Sequence, residues 1–470
     1  MKRRTMALLA ALALVVSVCA VTASAGEAVR RQPAAQVQEP AAQDTAADDT
    51  AGEEEEPAQQ PEEKEDPSPA GPDDAQVDPT TGEAVEEATI VPDEVGTVSY
   101  ANIERRMREK NLNVLILQES VDFIDNIDYD KLSKDLKDTL HAIAQGQRGM
   151  SLASSLPADN PYYTPMDSYA YSQLTQTYDT LYDQFKSIRD GEMQEDNAGA
   201  VRQLKNLQDQ VVMGGEMLYT TIAGLESQEA ALQRQLAALN RTVEEMELRY
   251  QLGQVSALQL QQTKAGRTQL TSGLETLRMN IRNLKTQFEM MLGAEQTGEI
   301  TLGAVPEVRE KDLAAMDLEK DLLAYKTQSY DLYAAAKTLE DAKDDYDDAG
   351  KEYGYRMDKL EFARASHNWQ AAQYTYNDSV QNYELKFRTL FAQVGDYKQI
   401  YDAAKVSLES EKASYAASEL KYQQGTISKN ALLSAQDSLK EAEDKVTSAA
   451  NDLFASYNTY CWAVKHGVLN

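Results

Sequence analysis

The sequence predicts an all-α fold made of long antiparallel helical hairpins, coiled-coil in character, set out as two internal repeats with little or no β structure. Three observations predict it. A nine-residue stretch at 248–256 recurs at 420–428. Heptad-spaced apolar residues flank both copies. No proline follows Pro306, and proline costs about 3 kcal/mol inside a helix, so a long proline-free run fits near-continuous helix.

The two copies are Leu-Arg-Tyr-Gln-Leu-Gly-Gln-Val-Ser and Leu-Lys-Tyr-Gln-Gln-Gly-Thr-Ile-Ser. Gly253 and Gly425 supply the left-handed backbone that ends a helix without steric cost. Ser256 and Ser428 stand three residues later, where a hydroxyl caps the next helix. Each copy therefore reads as the tip of a hairpin. The arms agree. Leu432, Ala435, Leu439, Ala442, Val446, Ala449 and Leu453 follow the second tip in alternating steps of three and four. Leu260, Thr263, Arg267, Leu270, Leu274, Leu277 and Ile281 follow the first in the same phase, with Arg267 as the misfit. Leu232 to Tyr250 and, more loosely, Val394 to Leu408 continue the period before each tip. This 3.5-residue spacing is that of helices packed along a seam. By itself it describes any antiparallel coiled coil equally well.

Residues 1–25 read as a secretion signal: Lys2, Arg3 and Arg4, an apolar run at 7–18, and Ala23-Ser24-Ala25 for cleavage before Gly26. Cys19 follows Val18, where a lipoprotein signal wants a small residue, so cleavage is favoured over acylation. Residues 26–97 read as a disordered acidic linker. Nine of the thirteen prolines fall between Pro33 and Pro92, and more than half of the net charge of −31 is here. Such a stretch buries too little apolar surface to offset its ordering entropy. It is a spacer or a loosely constrained leader, and its deletion through Gly96 is expected to leave the rest folded. The acidity excludes a nucleic-acid footprint.

Residues 98–470 form the helical domain, repeat one spanning about 98–295 and repeat two about 307–470. An amphipathic helix or helix pair covers 100–144. Irregular chain is expected at 146–165, near 191–199 and at 293–306, with a short strand at 299–302. Gly350 and Gly354 mark the main break of repeat two. Residues 146–165 are too short and lack the alternation of a membrane-spanning β pair, and 347–355 is too polar for one.

No catalytic chemistry is legible. His141, His367 and His466 lie far apart with no His or Cys at metal-ligand spacing. Cys461 would be the one cysteine left after signal removal, with a packing role beside Trp462. There is no phosphate loop and no nucleophile elbow. Asp344-Asp345 and Asp347-Asp348 read as solvated helix surface. Tyr162, Tyr163, Tyr169 and Tyr171 suit either interfacial anchoring or packing with a wet hydroxyl. The reading is of a non-enzyme with no cofactor and no metal.

Two Tyr-x-x-Gly tips, each followed by serine and a leucine-rich helix, resemble the TolC family of outer-membrane efflux proteins over roughly residues 99–470. The resemblance implies a TolC-like α-barrel subunit whose tips form the inner end of a helical tunnel. It implies a membrane fusion (adaptor) protein as partner, an inner-membrane ABC or proton-driven pump beyond it, and a homotrimer. It places the protein in the cell envelope, in the periplasm or outer membrane where the host has one and at the extracytoplasmic surface otherwise. The expected function is an exported conduit or docking element of an efflux or type I-like secretion assembly. The alternative is a coiled-coil scaffold or regulator of the envelope without transport. Partner-binding residues would be Tyr250, Gly253, Val255, Ser256, Tyr422, Gly425, Ile427 and Ser428, because the chain repeats identity at its tips and only pattern along its arms. Lys110-Asn111-Leu112 resembles the family's opening helix, with a counterpart expected near 322–325. The chain departs from the family in lacking the spanning strands. It also has Ala431 and Ser434 where acids narrow the tunnel entrance, and Ile427 where a basic partner belongs.

Overall fold

The computed structural model describes residues 93, 94 and 96–469 of the chain. The secretion signal and nearly all of the acidic stretch lie outside the described residues. Among those described are eleven α-helices, one 3-10 turn (Tyr100–Asn102) and two strands of two residues each.

Repeat one comprises α1 (Ile103–Lys110), α2 (Leu112–Asp125), α3 (Tyr129–Ser154), α4 (Ser168–Arg189), α5 (Glu192–Gln251) and α6 (Ala257–Met291). A short α7 (Glu310–Ala314) leads into repeat two: α8 (Leu318–Gln328), α9 (Tyr330–Tyr353), α10 (Leu360–Gln423) and α11 (Lys429–His466). Strand β1 (Thr97–Val98) pairs in parallel with β2 (Thr301–Leu302), Thr97 opposite Thr301. The expected strand at 299–302 is thus present in its second half. It fastens the start of the domain to the chain leaving α6.

The predicted seams are real. Every member of the two series after the tips, Arg267 included, is buried or half-buried. Each repeat has its own core. The first gathers Ile103, Met107, Met213, Tyr219, Phe288 and Leu292. The second gathers Tyr325, Phe387, Leu390, Val394, Leu453 and Tyr460. Each large apolar side chain taken out of water contributes about 1.5–3 kcal/mol, so these rings and aliphatics hold the long helices together. Arg234 pairs with Asp444 and Arg241 with Asp437, joining α5 to α11 along the surface.

The kinks repeat as well. Asn111 separates α1 from α2. Its Oδ1 accepts from Asn113 N (2.9 Å) and Val114 N (3.2 Å), and its Nδ2 donates to Met291 O (2.8 Å). The equivalent break in repeat two is Ser329, between α8 and α9, whose Oγ accepts from Leu332 N at 3.3 Å. The expected counterpart at 322–325 lies instead inside α8. Two glycines press on these kinks. A Cβ on Gly293 would stand 3.0 Å from Lys110 O, and one on Gly467 would stand 2.4 Å from Ser329 N. Both glycines have positive φ and follow the ends of the returning helices α6 and α11.

Three expectations need correction. Residues 100–144 hold the 3-10 turn, α1, α2 and the first part of α3, not one helix or a pair. Chain expected to be irregular from Gly146 is helical to Ser154. The break near 191–199 shrinks to Asp190 and Gly191, with Gly199 inside α5. Gly199 is there for closeness: a Cβ would lie 3.3 Å from Tyr333 Oη. The break of repeat two falls at 354–359, as expected from Gly354, whereas Gly350 lies inside α9. Gly354 and Tyr355 are consecutive left-handed residues, and the Tyr355 ring folds onto Gly350, where a Cβ would be 2.2 Å from it.

Contacts begin at Asp93. Its Oδ1 accepts from Ser99 N (3.0 Å), Ser99 Oγ (2.7 Å) and Asn102 Nδ2 (2.8 Å). These bonds hold its carboxyl below the usual range against the upward push of burial, with Arg106 adding to them. Removal of residues 26–92 is therefore expected to leave the helical circular-dichroism signal and the cooperative melt intact. Removal through Gly96, which also deletes the acceptor of Thr301 N, is expected to lower the melting temperature. Equal melts for the two truncations would show that Asp93 contributes nothing.

Glu216 of α5, 5% exposed, accepts from Tyr100 Oη (2.7 Å), Asn458 Nδ2 (2.8 Å) and Trp462 Nε1 (2.7 Å). Glu216→Ala strands these donors in the core, at about 1–3 kcal/mol for each buried one. The expected loss is about 3 kcal/mol or more, read from the urea midpoint with Trp462 emission as the probe. An unchanged midpoint would remove Glu216 from any structural role.

Candidate functional site

The helix-ending chemistry of the two tips is the same bond for bond. At the first, Gly253 has φ +69°, Gly253 N donates to Tyr250 O (2.9 Å) and Gln254 N to Arg249 O (2.8 Å). At the second, Gly425 has φ +69°, Gly425 N donates to Tyr422 O (2.9 Å) and Thr426 N to Lys421 O (2.9 Å). This pair of bonds satisfies the last carbonyls of α5 and α10.

The serines start the return helices. Ser256 Oγ accepts from Gln259 N (3.2 Å) while Gln259 Oε1 accepts from Ser256 N (2.9 Å), a reciprocal capping box. Ser428 Oγ accepts from Ala431 N (3.2 Å). Ala431 stands where Gln259 stands in the first tip, so the second lacks the returning arm.

The structure brings the tips to one end of the molecule. Glu245 Oε2 accepts from Asn430 Nδ2 at 3.3 Å, one turn from each tip, and the Arg241–Asp437 and Arg234–Asp444 pairs continue down the same seam. The eight candidate residues divide by role. Gly253, Gly425, Ser256 and Ser428 shape the backbone. Val255 and Ile427 are half-buried beneath the turns. Tyr250 and Tyr422 are exposed, at 46% and 40%.

Sequence reasoning left out Leu248, Leu252, Leu258 and Leu420, which are more exposed than either tyrosine. Leu248 and Leu420 are identical in the two copies, and that identity was the available signal. Around the first tip, Arg249 pairs with Glu245, and Lys264 with Glu247 at 2.7 Å. The Lys264 hydrogen bond holds the Glu247 carboxyl below its usual range. The end of the hairpins thus shows apolar and aromatic side chains at its apex with paired charges set back along the arms.

Among the described residues, no three His, Cys, Asp or Glu side chains are grouped to hold a metal ion. His466 lies tilted against Trp462, ring centres 4.5 Å apart, and its Nδ1 lies 3.2 Å from Asp209 Oδ2. Cys461 is half-buried. No described helix is long and apolar enough to cross a membrane.

In class, the chain is similar to solved outer-membrane channels. It shares 12% identity with the outer-membrane channel OprN at a TM-score of 0.47, over 78% of this chain and 90% of that one. With the outer membrane protein VceC from Vibrio cholerae the values are 12%, 0.43, 78% and 96%. With the open-state MtrE outer membrane channel of Neisseria gonorrhoeae they are 11%, 0.42, 79% and 89%. These are channels of the family that the tip motifs resemble. No family model and no curated protein matches the chain.

Substitution at the tips separates backbone from contact. A Cβ on Gly253 or Gly425 meets no atom within 4 Å, so Gly253→Ala and Gly425→Ala are expected to cost only the left-handed strain, about 1–2 kcal/mol each. Ser256→Ala and Ser428→Ala are expected to cost about 1 kcal/mol, with Ser256 the larger because it also breaks the capping box. Chemical denaturation of the four variants checks the order. Neutral glycine variants would contradict the assigned role of these residues as helix ends.

Proposed function

We propose that this chain is an exported, TolC-like, non-enzymatic component of the cell envelope, a helical conduit or docking element of an efflux or type I-like secretion assembly. A membrane fusion (adaptor) protein binds its hairpin tips, and an inner-membrane ABC or proton-driven pump stands behind the adaptor. One observation carries the reading. Two tips that share five of nine residues and the same backbone helix-ending bonds lie together at one end and present tyrosine and leucine to solvent. Packing of the arms does not require that identity, since the arms differ in residue while keeping the period. Contact with hairpins of an adaptor would use it. Several chains side by side, a homotrimer by resemblance, would be needed to enclose a tunnel, because one chain supplies two hairpins at this end.

A second reading, an envelope scaffold or regulator without transport, is favoured by a separate observation. At the two points where the family inserts membrane strands, this chain has the α3–α4 helical hairpin and the tight 354–359 turn.

Tip substitutions discriminate the two. Tyr250→Asp and Tyr422→Asp are expected to hold stability within about 1 kcal/mol of the parent, being changes at exposed positions. They are expected to abolish crosslinking to the adaptor encoded nearest the gene. Normal crosslinking by both, together with loss in variants of the 100–144 segment, would place the docking surface at the other end of the molecule.

A further inference from the structure

The α3–α4 hairpin ends in a surface that the tip reading does not use. Residues 146–172 carry three charges, Arg148, Asp159 and Asp167, in a chain that is 26% charged. The same stretch holds Leu152, Tyr162, Tyr163, Met166 and Tyr169, all exposed, with Tyr162 at 80%, Tyr169 at 75% and Leu152 at 66%.

The loop between the helices is built rather than slack. Asn160 N donates to Pro157 O (2.9 Å), Tyr163 N to Asn160 O (2.9 Å), and Tyr162 N to Asn160 Oδ1 (2.9 Å). Asp167 caps α4 by accepting from Tyr169 N and Ala170 N. The backbone of the loop is thus already ordered, so binding has only side chains left to order.

Its position leaves it uncovered by the other described residues. Tyr129, the first residue of α3, meets α5 near its start, where Asn197 Nδ2 donates to Tyr129 Oη at 2.6 Å. From there α3 runs 26 residues, about 39 Å at 1.5 Å per residue. The α9–α10 hairpin starts from the same level, Lys337 meeting Glu195 at 2.7 Å. It ends at Tyr353, about 24 Å further on. The α3–α4 loop therefore stands on the order of 10 Å beyond the other hairpin. It points away from the glycine tips, which lie at the far end of the 60-residue α5.

We infer that the α3–α4 loop is a membrane-surface contact, seating Tyr162, Tyr169 and Leu152 in the interfacial region of a lipid bilayer. Tyrosine suits that zone because its ring is apolar and its hydroxyl stays wet. The rings stand at the end of a two-helix hairpin, which meets a plane end-on; an open hollow of about 450 Å³ lined by Arg148, Leu152 and Tyr171 lies beside them. Charge selects the lipid. The loop is nearly neutral on a chain of net charge −31, so it complements an uncharged, zwitterionic surface, and anionic lipid would repel the rest of the chain. This inference is independent of adaptor binding.

The test is flotation of the full chain with phosphatidylcholine vesicles. Binding is expected at low salt and equally at about 0.5 M salt, where screening removes charge attraction. The triple variant Leu152→Ser, Tyr162→Ser, Tyr169→Ser is expected to keep its helical circular dichroism and to lose vesicle binding by about tenfold or more, through lost apolar contact. Tyr374→Ser, at a tyrosine on α10 that is 66% exposed, is expected to float like the parent. The inference is overturned if the parent fails to float, if the triple variant floats as well as the parent, or if Tyr374→Ser loses binding to the same degree. It is also overturned if sedimentation without lipid shows that the triple substitution abolishes a self-association of the parent, since a second copy would then be the occupant.

Discussion

The structure depends on one buried carboxylate. A charge in an apolar core is costly unless donors replace water around it. Glu216 receives three, and they come from distant parts of the chain: Tyr100 at the entrance to the domain, and Asn458 and Trp462 near its end. Tyr100 is itself wedged edge-on between Tyr219 and Phe454, at 5.6 and 4.8 Å between ring centres. Burial, then the nearby Glu216 charge, pushes the Tyr100 phenol far above its ordinary range, so it stays a donor. Trp462 and Val468 consequently belong to the core of repeat one although they lie in repeat two. The two repeats are joined by a hydrogen-bonded node, and the long surface seam of Arg–Asp pairs adds little beyond register, since exposed pairs contribute about 0.2–1 kcal/mol.

Close approach of backbones gives each repeat the same corner. The returning helix ends in a glycine that touches the kink between the two opening helices, Gly293 on Lys110 and Gly467 on Ser329. A side chain at either glycine would collide with main chain, which cannot swing aside. The kink residue is polar and buried in both cases, Asn111 and Ser329, because a break in a helix leaves N–H groups that need an acceptor. Beyond the first corner a second carboxylate works in the same way. Glu289 takes N–H bonds from Gly298, Glu299 and Ile300, which fixes the loop that carries β2. Burial pushes its carboxyl up, but those bonds outweigh it and hold the group below its usual range.

What was legible in the sequence was local or periodic. Gly253 and Gly425 with their serines announced the helix ends, and the heptad series announced which residues face a neighbour. What was not legible depends on contacts between distant residues. Gly146, Gly149 and Gly199 looked like breaks, yet all three are helical. A single glycine weakens a helix by only about 1 kcal/mol, and packing outweighs that. The real stop of α3 comes just ahead of Pro157, where backbone donors are lost and the preceding residue is pushed out of helical conformation. Ser329 was missed as the partner of Asn111 because the two share a role, capping inside a corner, and not a residue type. Glu216, Glu289 and the buried Asp321 of α8, which accepts from Tyr460 Oη and Asp317 N, have no sequence signature at all. An acid in a helix reads as solvated surface until the donors that converge on it are known.

The tips show how far repetition can be taken as a sign of function. Before the geometry is known, the whole shared stretch asks for an explanation. The glycines are accounted for by left-handed helix ends and the serines by helix starts, so folding alone is reason enough to keep them. Val255 and Ile427 are half-buried and help close the turn. Tyr250 and Tyr422, with Leu248 and Leu420, remain. Their backbone carbonyls take part in ending the helices, but their side chains are exposed, recur in register and make none of the capping bonds; Tyr250, which the period had placed on the seam, is among them. The capped turns fix the backbone that carries these side chains, so a partner that binds them has no backbone ordering entropy to overcome. The case for docking therefore narrows from eight residues to these tyrosines and the leucines two residues before them.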